Sequence, residues 1–198
     1  MKSALIRMIL ASALFAGVAV AQNSDLALLL GAAGPISSTI ANGIVSDSVG
    51  VGFQINYAAQ LHETKAGQLY LELPLMLAKQ VKSTVGQGVS DSVKGSIFFT
   101  PGVRWRFTPQ KRVSFYAAAG AGVGSFGTTT LFFGHGVVST NIGRTTTAAL
   151  GFGGGIDFRL TRLLSLRAEG RDFVTLSGLD GSEGRNHAFF MAGIGFHF

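Results

Sequence analysis

The sequence predicts an all-β protein, an eight-stranded antiparallel up-and-down transmembrane β-barrel preceded by a cleavable signal peptide. Three observations support this prediction. Segments in which apolar residues alternate with small or polar ones recur eight times, and this two-residue period is typical of strands with two different faces. The connections between these segments are alternately short and long, and the last segment ends on Phe198.

The amino terminus has the pattern of an export signal. Lys2 and Arg7 flank a charge-free run from Met8 to Val20, and Ala19-Val20-Ala21 supplies the small-x-small pattern of a cleavage site. The apolar run is shorter than the ~20 residues that a membrane-spanning helix needs. The expected domains are therefore a signal peptide, residues 1–21, and one barrel domain, residues 22–198.

Composition limits the function classes. The chain has no cysteine, which excludes a disulfide framework and thiol chemistry. Of its 16 basic residues, 14 remain after removal of Lys2 and Arg7, against 10 acidic ones. The basic residues are scattered singly through the strand-like segments, so we expect no nucleic-acid partner.

The eight alternating segments have lengths that suit a tilted transmembrane strand of ~9–11 residues with a slight extension. They are Leu26 to Gly34, Ser48 to Leu61, Gly67 to Gln80, Val93 to Phe107, Arg112 to Phe126, Thr145 to Leu160, Leu163 to Thr175 and Asn186 to Phe198.

The connections divide into two kinds. Tight turns are expected at His62 to Lys65, Thr108 to Lys111 and Thr161-Arg162. Four long loops rich in Gly, Ser and Thr are expected at Gly34 to Asp47, Val81 to Ser92, Gly127 to Arg144 and Leu176 to Arg185. Short turns at one end and long loops at the other are the plan of outer-membrane barrels, with the long loops outside.

The aromatic residues help to decide which face is apolar. Most fall on the apolar side of the alternation near the turn ends of the strands, which predicts an interfacial girdle. The girdle residues are Tyr57, Trp105, Phe107, Phe115 and Phe158, with Phe196 and Phe198 beside them. Leu69, Leu71, Leu73, Leu75 and Leu77 would then face lipid. The alternative is a soluble eight-stranded ligand barrel with these residues inside.

The opposite side of the alternation carries charges that the barrel would enclose. The predicted lumen cluster is Glu72, Arg104, Asp157, Arg167, Glu169 and Arg171. An eight-stranded barrel is just wide enough for side chains to fill, so these charges must pair. The cluster could be a structural plug, a gate or an ion path. Gly151, Gly153 and Gly155 are expected to leave space for the large side chains of the next strand.

Three residues resist this scheme. Pro74 and Pro101 lie inside predicted strands, where a missing ladder donor predicts bulges or bends. Asp172 falls on the lipid-facing side of the alternation. Either it lies near the headgroups or a bulge shifts the register of its strand.

Motifs for catalysis or cofactor binding are weak. Gly122 to Gly127 matches G-x-G-x-x-G, but no helix start follows and no acidic residue lies about 20 residues on, so these glycines are assigned to strand packing. The four histidines lack metal-ligand spacing. Ser182, Glu183 and His187 lie close in sequence, but nothing orients them as a triad. We therefore expect no catalytic, cofactor-binding or metal site.

Over residues 22–198 the pattern resembles the small eight-stranded outer-membrane barrels, the family of outer membrane protein X and the transmembrane domain of outer membrane protein A. The residues that carry the resemblance are Ala19-Val20-Ala21, Leu164 to Val174 with its inward Arg-x-Glu-x-Arg, and the ending Gly193 to Phe198. The resemblance implies that Phe190, Ile194, Phe196 and Phe198 form the C-terminal signal read by the barrel assembly machinery.

The same resemblance implies an outer-membrane location and a role in envelope integrity, adhesion or surface interaction. The implied partners are outer-membrane lipid, lipopolysaccharide, the assembly machinery and an unidentified surface protein. No wall-binding domain is expected after Phe198. A narrow channel for small solutes and a lipid-modifying enzyme are the alternative functions.

Overall fold

The computed structural model describes residues 23–33, 37–41, 44–85, 89–109, 111–134, 137–175 and 186–198. Within these ranges the chain forms ten β-strands. They are β1 (Ser24–Ala33), β2 (Ser37–Ala41), β3 (Ile44–Thr64), β4 (Gly67–Val85), β5 (Val89–Phe99), β6 (Gly102–Phe107), β7 (Val113–Gly134), β8 (Val137–Arg159), β9 (Leu164–Thr175) and β10 (Asn186–His197).

The sheet closes because the first strand pairs with the last. β1 pairs antiparallel with β3 on one side and with β10 on the other. β5 and β6 together make one barrel strand, since both lie between β4 and β7. β2 pairs with the end of β3 outside this circuit. The predicted eight-stranded antiparallel barrel is therefore confirmed. Among the described residues, no helix is long and apolar enough to cross a membrane.

The alternation places most of the charged residues of the strands inside and most of the large apolar residues outside. Along β9, buried residues alternate with more exposed ones from Ser165 to Thr175. Arg104 and Arg167 are among the largest fully buried side chains, whereas Leu30 and Phe190 are 66% and 70% exposed. The alternative of a soluble barrel with apolar residues inside is therefore wrong for this chain.

Three of the predicted long loops are corrected by the structure. Residues 81–85 belong to β4 and residues 89–92 to β5, while residues 127–134 and 137–144 belong to β7 and β8. In the first segment, 34–47, β2 and the start of β3 pair with each other. Their many Gly, Ser and Thr residues suggested loops, but Thr and Val are β-branched residues that favour strands, and here the hairpin ladders continue. The fourth segment, 176–185, lies outside the described residues.

The two ends of the barrel therefore differ. We call the end with the short connections after β3, β6 and β8 the turn end, and the end with the long hairpins the hairpin end. At the turn end, Thr64 Oγ1 accepts a hydrogen bond from Ala66 N (3.2 Å) and donates one to Gly67 O (3.0 Å). The start of β1 meets Phe198 here, since Ser24 and Phe198 exchange backbone hydrogen bonds of 2.7 and 2.9 Å.

The two prolines lie at the same interruption of the sheet. The β4–β6 ladder ends at the pair Glu72–Gly102, and the β4–β5 ladder begins at Leu75–Phe99. Pro74 and Pro101 fall between these pairs, which fits their missing N–H groups. The predicted irregularity is thus a gap between β5 and β6, and a further register shift lies in β3 between Gln60 and His62.

Candidate functional site in the barrel interior

The interior beside the turn end is filled by an ionic layer around two aspartates. Asp25 Oδ2 accepts hydrogen bonds from Arg104 Nη2 (2.6 Å) and Arg106 Nη2 (2.7 Å). Asp157 is bound by Arg167 at 2.6 and 2.9 Å and by Arg106 Nη2 at 3.0 Å. The residues of this layer belong to β1, β6, β8 and β9. Their charges meet because every second residue of each strand points into the barrel.

A tyrosine lies on each side of this turn-end ionic layer. The guanidinium carbon of Arg104 lies 5.1 Å from the ring centre of Tyr70 and 5.3 Å from that of Tyr116. Arg106 and Arg167 approach the same two rings at 5.0 and 5.1 Å. Cation–π attraction therefore adds to the ion pairs that hold the three guanidinium groups.

A second ionic layer lies farther from the turn end. Arg171 Nη2 binds both oxygens of Glu72 at 3.0 Å, and its Nε binds Glu169 Oε1 at 2.6 Å. Glu169 also accepts hydrogen bonds from Tyr116 OH (2.6 Å) and Gln54 Nε2 (3.0 Å). We call this group the middle ionic layer.

The two ionic layers balance in charge. They contain four carboxylates, of Asp25, Glu72, Asp157 and Glu169, and four guanidinium groups, of Arg104, Arg106, Arg167 and Arg171, and all eight residues are at most 5% exposed. Buried ions are tolerated when each finds a partner and further hydrogen bonds. The opposite charges therefore neutralise one another inside the barrel, while Asp25 Oδ1 and some of the nitrogens of Arg104, Arg106 and Arg167 have no hydrogen-bond partner among the described residues.

Above the middle ionic layer, the interior changes to packed apolar side chains. Phe98 and Phe173 stack with ring centres 4.4 Å apart, Phe126 meets Phe98 edge-on at 5.4 Å, and Phe189 meets Phe173 edge-on at 5.7 Å. Met76 and Leu29 complete this aromatic layer and are fully buried. It fills the barrel between the ionic layers and the hairpin end.

Glycines make room for the large interior side chains. A Cβ atom at Gly155 would overlap the Tyr116 hydroxyl, and one at Gly153 would lie 3.1 Å from Arg171 Nε. A Cβ atom at Gly124 would lie 3.1 Å from the Phe98 ring. The predicted packing over glycines is confirmed for Gly153 and Arg171 of the next strand, whereas Gly155 leaves room for Tyr116 of the preceding strand. The G-x-G-x-x-G match lies wholly inside strand β7.

All six residues of the predicted lumen cluster lie in these two ionic layers. Sequence reasoning missed Asp25, the residue on which Arg104, Arg106 and Arg167 converge. The first strand was predicted to begin at Leu26, whereas β1 begins two residues earlier, at Ser24. Asp25 shares its side of the alternation with Ala27 and Leu29, which are both fully buried, and this pattern could have revealed it.

Residues of the predicted girdle and C-terminal signal face outward. Phe107 pairs with Phe115, and Phe158 pairs with Val113 and Leu166, so these rings lie beside the turn end. Tyr57 and Trp105 are half-buried on the same outer face. Phe190, Ile194, Phe196 and Phe198 are exposed along β10 and its end. Their role in assembly stays a prediction.

The triad considered from the sequence gains no support. The His187 ring lies 5.4 Å from the Phe98 ring and 5.2 Å from the Phe126 ring, and so faces the aromatic layer. Ser182 and Glu183 lie outside the described residues. A histidine directed into the barrel is poorly placed to act on a lipid at the outer surface.

No protein-family model and no curated protein matches the chain. Several solved structures are similar to it. The outer membrane protease OmpT from Escherichia coli has a TM-score of 0.57 at 9% identity, covering 90% of this chain and 98% of OmpT. Neisserial surface protein A has a TM-score of 0.49 at 14% identity over 89% and 96% of the two chains. The outer membrane protein OprG from Pseudomonas aeruginosa gives 0.48 at 12% identity over 90% and 96%.

At these identities the likeness concerns the fold. The chain shares the outer-membrane β-barrel fold of OmpT, and the sequence predicted this fold class. Likeness to a protease at 9% identity does not assign an activity to this chain, because one fold can carry different activities.

Proposed function

We propose that the protein is an integral outer-membrane barrel with a sealed interior, and that it acts as a rigid, non-enzymatic support for its outward-projecting hairpins. The observation that carries the proposal is the filled interior. A path along the barrel would have to pass the aromatic layer of Phe98, Phe126, Phe173 and Phe189. Since ions are costly to transfer into apolar surroundings, this layer opposes conduction.

The exterior supports the membrane location. Closure satisfies the backbone hydrogen bonds of the sheet, as a span in hydrocarbon requires. The outward leucines and phenylalanines then contact lipid, with the girdle at the inner interface. Outer-membrane lipid and lipopolysaccharide would surround the barrel, and the assembly machinery would recognise its last strand.

The hairpins support the interaction role. β7 and β8 stay paired up to Gly134 and Val137, well past the pair Ala149–Thr175 at which β9 ends. Such a projecting ladder offers a surface partner a preformed contact. Envelope integrity and surface interaction are therefore proposed over transport and lipid modification.

Absence of conductance is the first testable consequence. The wild-type barrel in planar lipid bilayers should give no current steps, because the apolar layer remains in place. Glu169→Gln and Arg171→Gln should be equally silent. Steady wild-type currents that change in Glu169→Gln would instead establish the channel alternative.

The second testable consequence is that folding does not depend on the long β7–β8 hairpin. Thr129 and Ile142 are paired partners, so residues 130–141 can be replaced by an Asn-Gly turn, which suits a two-residue hairpin. The shortened protein should still show a compact unheated gel band that shifts on boiling, since its ionic and aromatic layers are intact. Binding to intact cells or envelope material should fall. Loss of the compact band would show that the hairpin is needed for folding and would contradict the support role.

A further inference from the structure

Four basic residues lie together at one side of the turn end. Lys111 and Arg112 precede β7, Arg159 ends β8, and Arg162 lies in the turn before β9. The two turns are joined, because Arg159 N donates to Arg112 O at 2.8 Å and the Arg159 guanidinium donates to Pro109 O at 3.1 Å. We call these four residues the basic cluster.

The basic cluster has no carboxylate of its own. Lys111, Arg112 and Arg162 are exposed, and none of the four residues forms a salt bridge within the described part of the chain. The nearest carboxylate along β8 belongs to Asp157, which is buried and already held in the turn-end ionic layer. Positive charges on neighbouring turns repel one another, so an anion from outside would stabilise this arrangement.

The positive charge is concentrated on this side of the turn end. The turn between β3 and β4 has Glu63 close to Lys65, so its charges offset one another. Where Ser24 meets Phe198, the neighbouring described residues include no exposed Asp, Glu, Lys or Arg. The basic cluster is therefore a local feature and not a ring of charge around the barrel.

The basic cluster lies at the border of the apolar outer face. The guanidinium carbon of Arg112 lies 5.7 Å from the centre of the Phe158 ring, which belongs to the girdle. Arg162 lies between Leu160 and Leu163, which are both exposed. Aromatic residues of such a girdle sit at the level of the lipid headgroups, and the cations beside them therefore lie at that level too.

We propose that the basic cluster binds the phosphate groups of anionic phospholipids in the inner leaflet of the outer membrane. Basic residues beside a membrane surface attract anionic lipids. The contact between Arg112 and Phe158 favours a lipid over an acidic protein of the periplasm, because it holds the charge against the outer wall of the barrel. The proposal rests on the membrane location and orientation proposed above.

The test compares two lipids with the same acyl chains and different headgroup charges. Phosphatidylglycerol carries a net negative charge, whereas phosphatidylcholine is zwitterionic. The mature protein in detergent is mixed with each lipid, and the retained lipid is counted by native mass spectrometry. We expect preferential retention of phosphatidylglycerol, and the preference should decrease as salt rises to about 0.5 M, because salt screens exposed charges.

A double variant connects this preference to the basic cluster. Lys111→Gln with Arg162→Gln removes two exposed charges that form no ion pair in the described part of the chain, so the barrel should still fold. Each basic residue near a membrane surface is expected to change the preference about fivefold, and the double variant should therefore lower it roughly 25-fold. Lys79→Gln with Arg144→Gln is the matched control, since it removes one exposed lysine and one exposed arginine from the hairpin side.

Equal retention of the two lipids by the wild type would overturn the proposal and would favour an acidic periplasmic partner instead. An equal loss of preference in the control variant would also overturn it, by showing attraction to the overall charge of the barrel. Heat modifiability is scored on the same samples. A compact barrel without lipid preference would leave the proposed function standing, whereas a chain without a compact unheated band would contradict the membrane barrel itself.

Discussion

Replacing Arg167 by methionine is expected to lower the free energy of unfolding by about 3–5 kcal/mol, the range for breaking a buried ion pair. Arg167 is 1% exposed and binds Asp157 through two nitrogens. It also lies 3.4 Å from Asp25. Without it, the turn-end ionic layer keeps both aspartates but loses one of their three guanidinium groups. Urea unfolding in lipid vesicles would measure the loss, followed through the fluorescence of Trp105, the single tryptophan.

Arg159→Met is the matched control for this prediction. Arg159 is half-buried at the turn end, and its guanidinium donates to the Pro109 carbonyl at 3.1 Å. Its loss should cost about 1 kcal/mol, the value of an ordinary hydrogen bond. Adding Asp157→Leu to Arg167→Met should recover part of the stability, because one uncompensated charge is removed. Equal stability of the two single variants would show that the ionic layer does not hold the barrel together.

The second large effect is expected for Phe98→Ala. Phe98 is fully buried at the centre of the aromatic layer, in ring contact with Phe126, Phe173 and Phe189. Truncation leaves a cavity that these rings cannot refill, since Gly124 beside them has no side chain. The expected loss in unfolding free energy is about 3–5 kcal/mol, measured by the same urea titration.

Phe99→Ala tests the same residue type one position along the chain. Phe99 is 36% exposed on the outer face, where lipid chains can occupy the space left by the ring. Its truncation should therefore cost clearly less than that of Phe98. A larger effect for Phe99 would mean that the two faces of β5 have been assigned the wrong way round.

The ionic cluster shows what the two-residue alternation can predict and what it cannot. Because strands repeat every two residues, the sequence placed Glu72, Arg104, Asp157, Arg167, Glu169 and Arg171 on the enclosed face. It could not state which carboxylate meets which guanidinium. Asp25 and Arg104 are 79 residues apart, and their contact depends on the stagger between strands, which local patterns do not encode.

The outer hairpins show strands that the sequence pattern did not reveal. Ser- and Thr-rich segments read as loops, yet residues 127–134 and 137–144 continue the β7–β8 ladder. Strand propensity depends on what a residue pairs with, and a polar hairpin lacks the apolar alternation that reveals strands within a membrane.

By itself, the sequence determined the fold class, the number of barrel strands, the inward and outward faces and the approximate position of the short turns. The first of these turns lies at Lys65-Ala66 rather than at His62 to Lys65, because β3 continues to Thr64. These features follow from a two-residue period and from turn chemistry, which are local properties of the chain. Tertiary structure alone decided the separation of the interior into two ionic layers and an aromatic layer, the central place of Asp25 and the unbroken register of β9, which leaves Asp172 on the outer face without a bulge. Each of these depends on register and closure between strands distant in sequence, and a change of one residue in register would exchange the two faces of a strand.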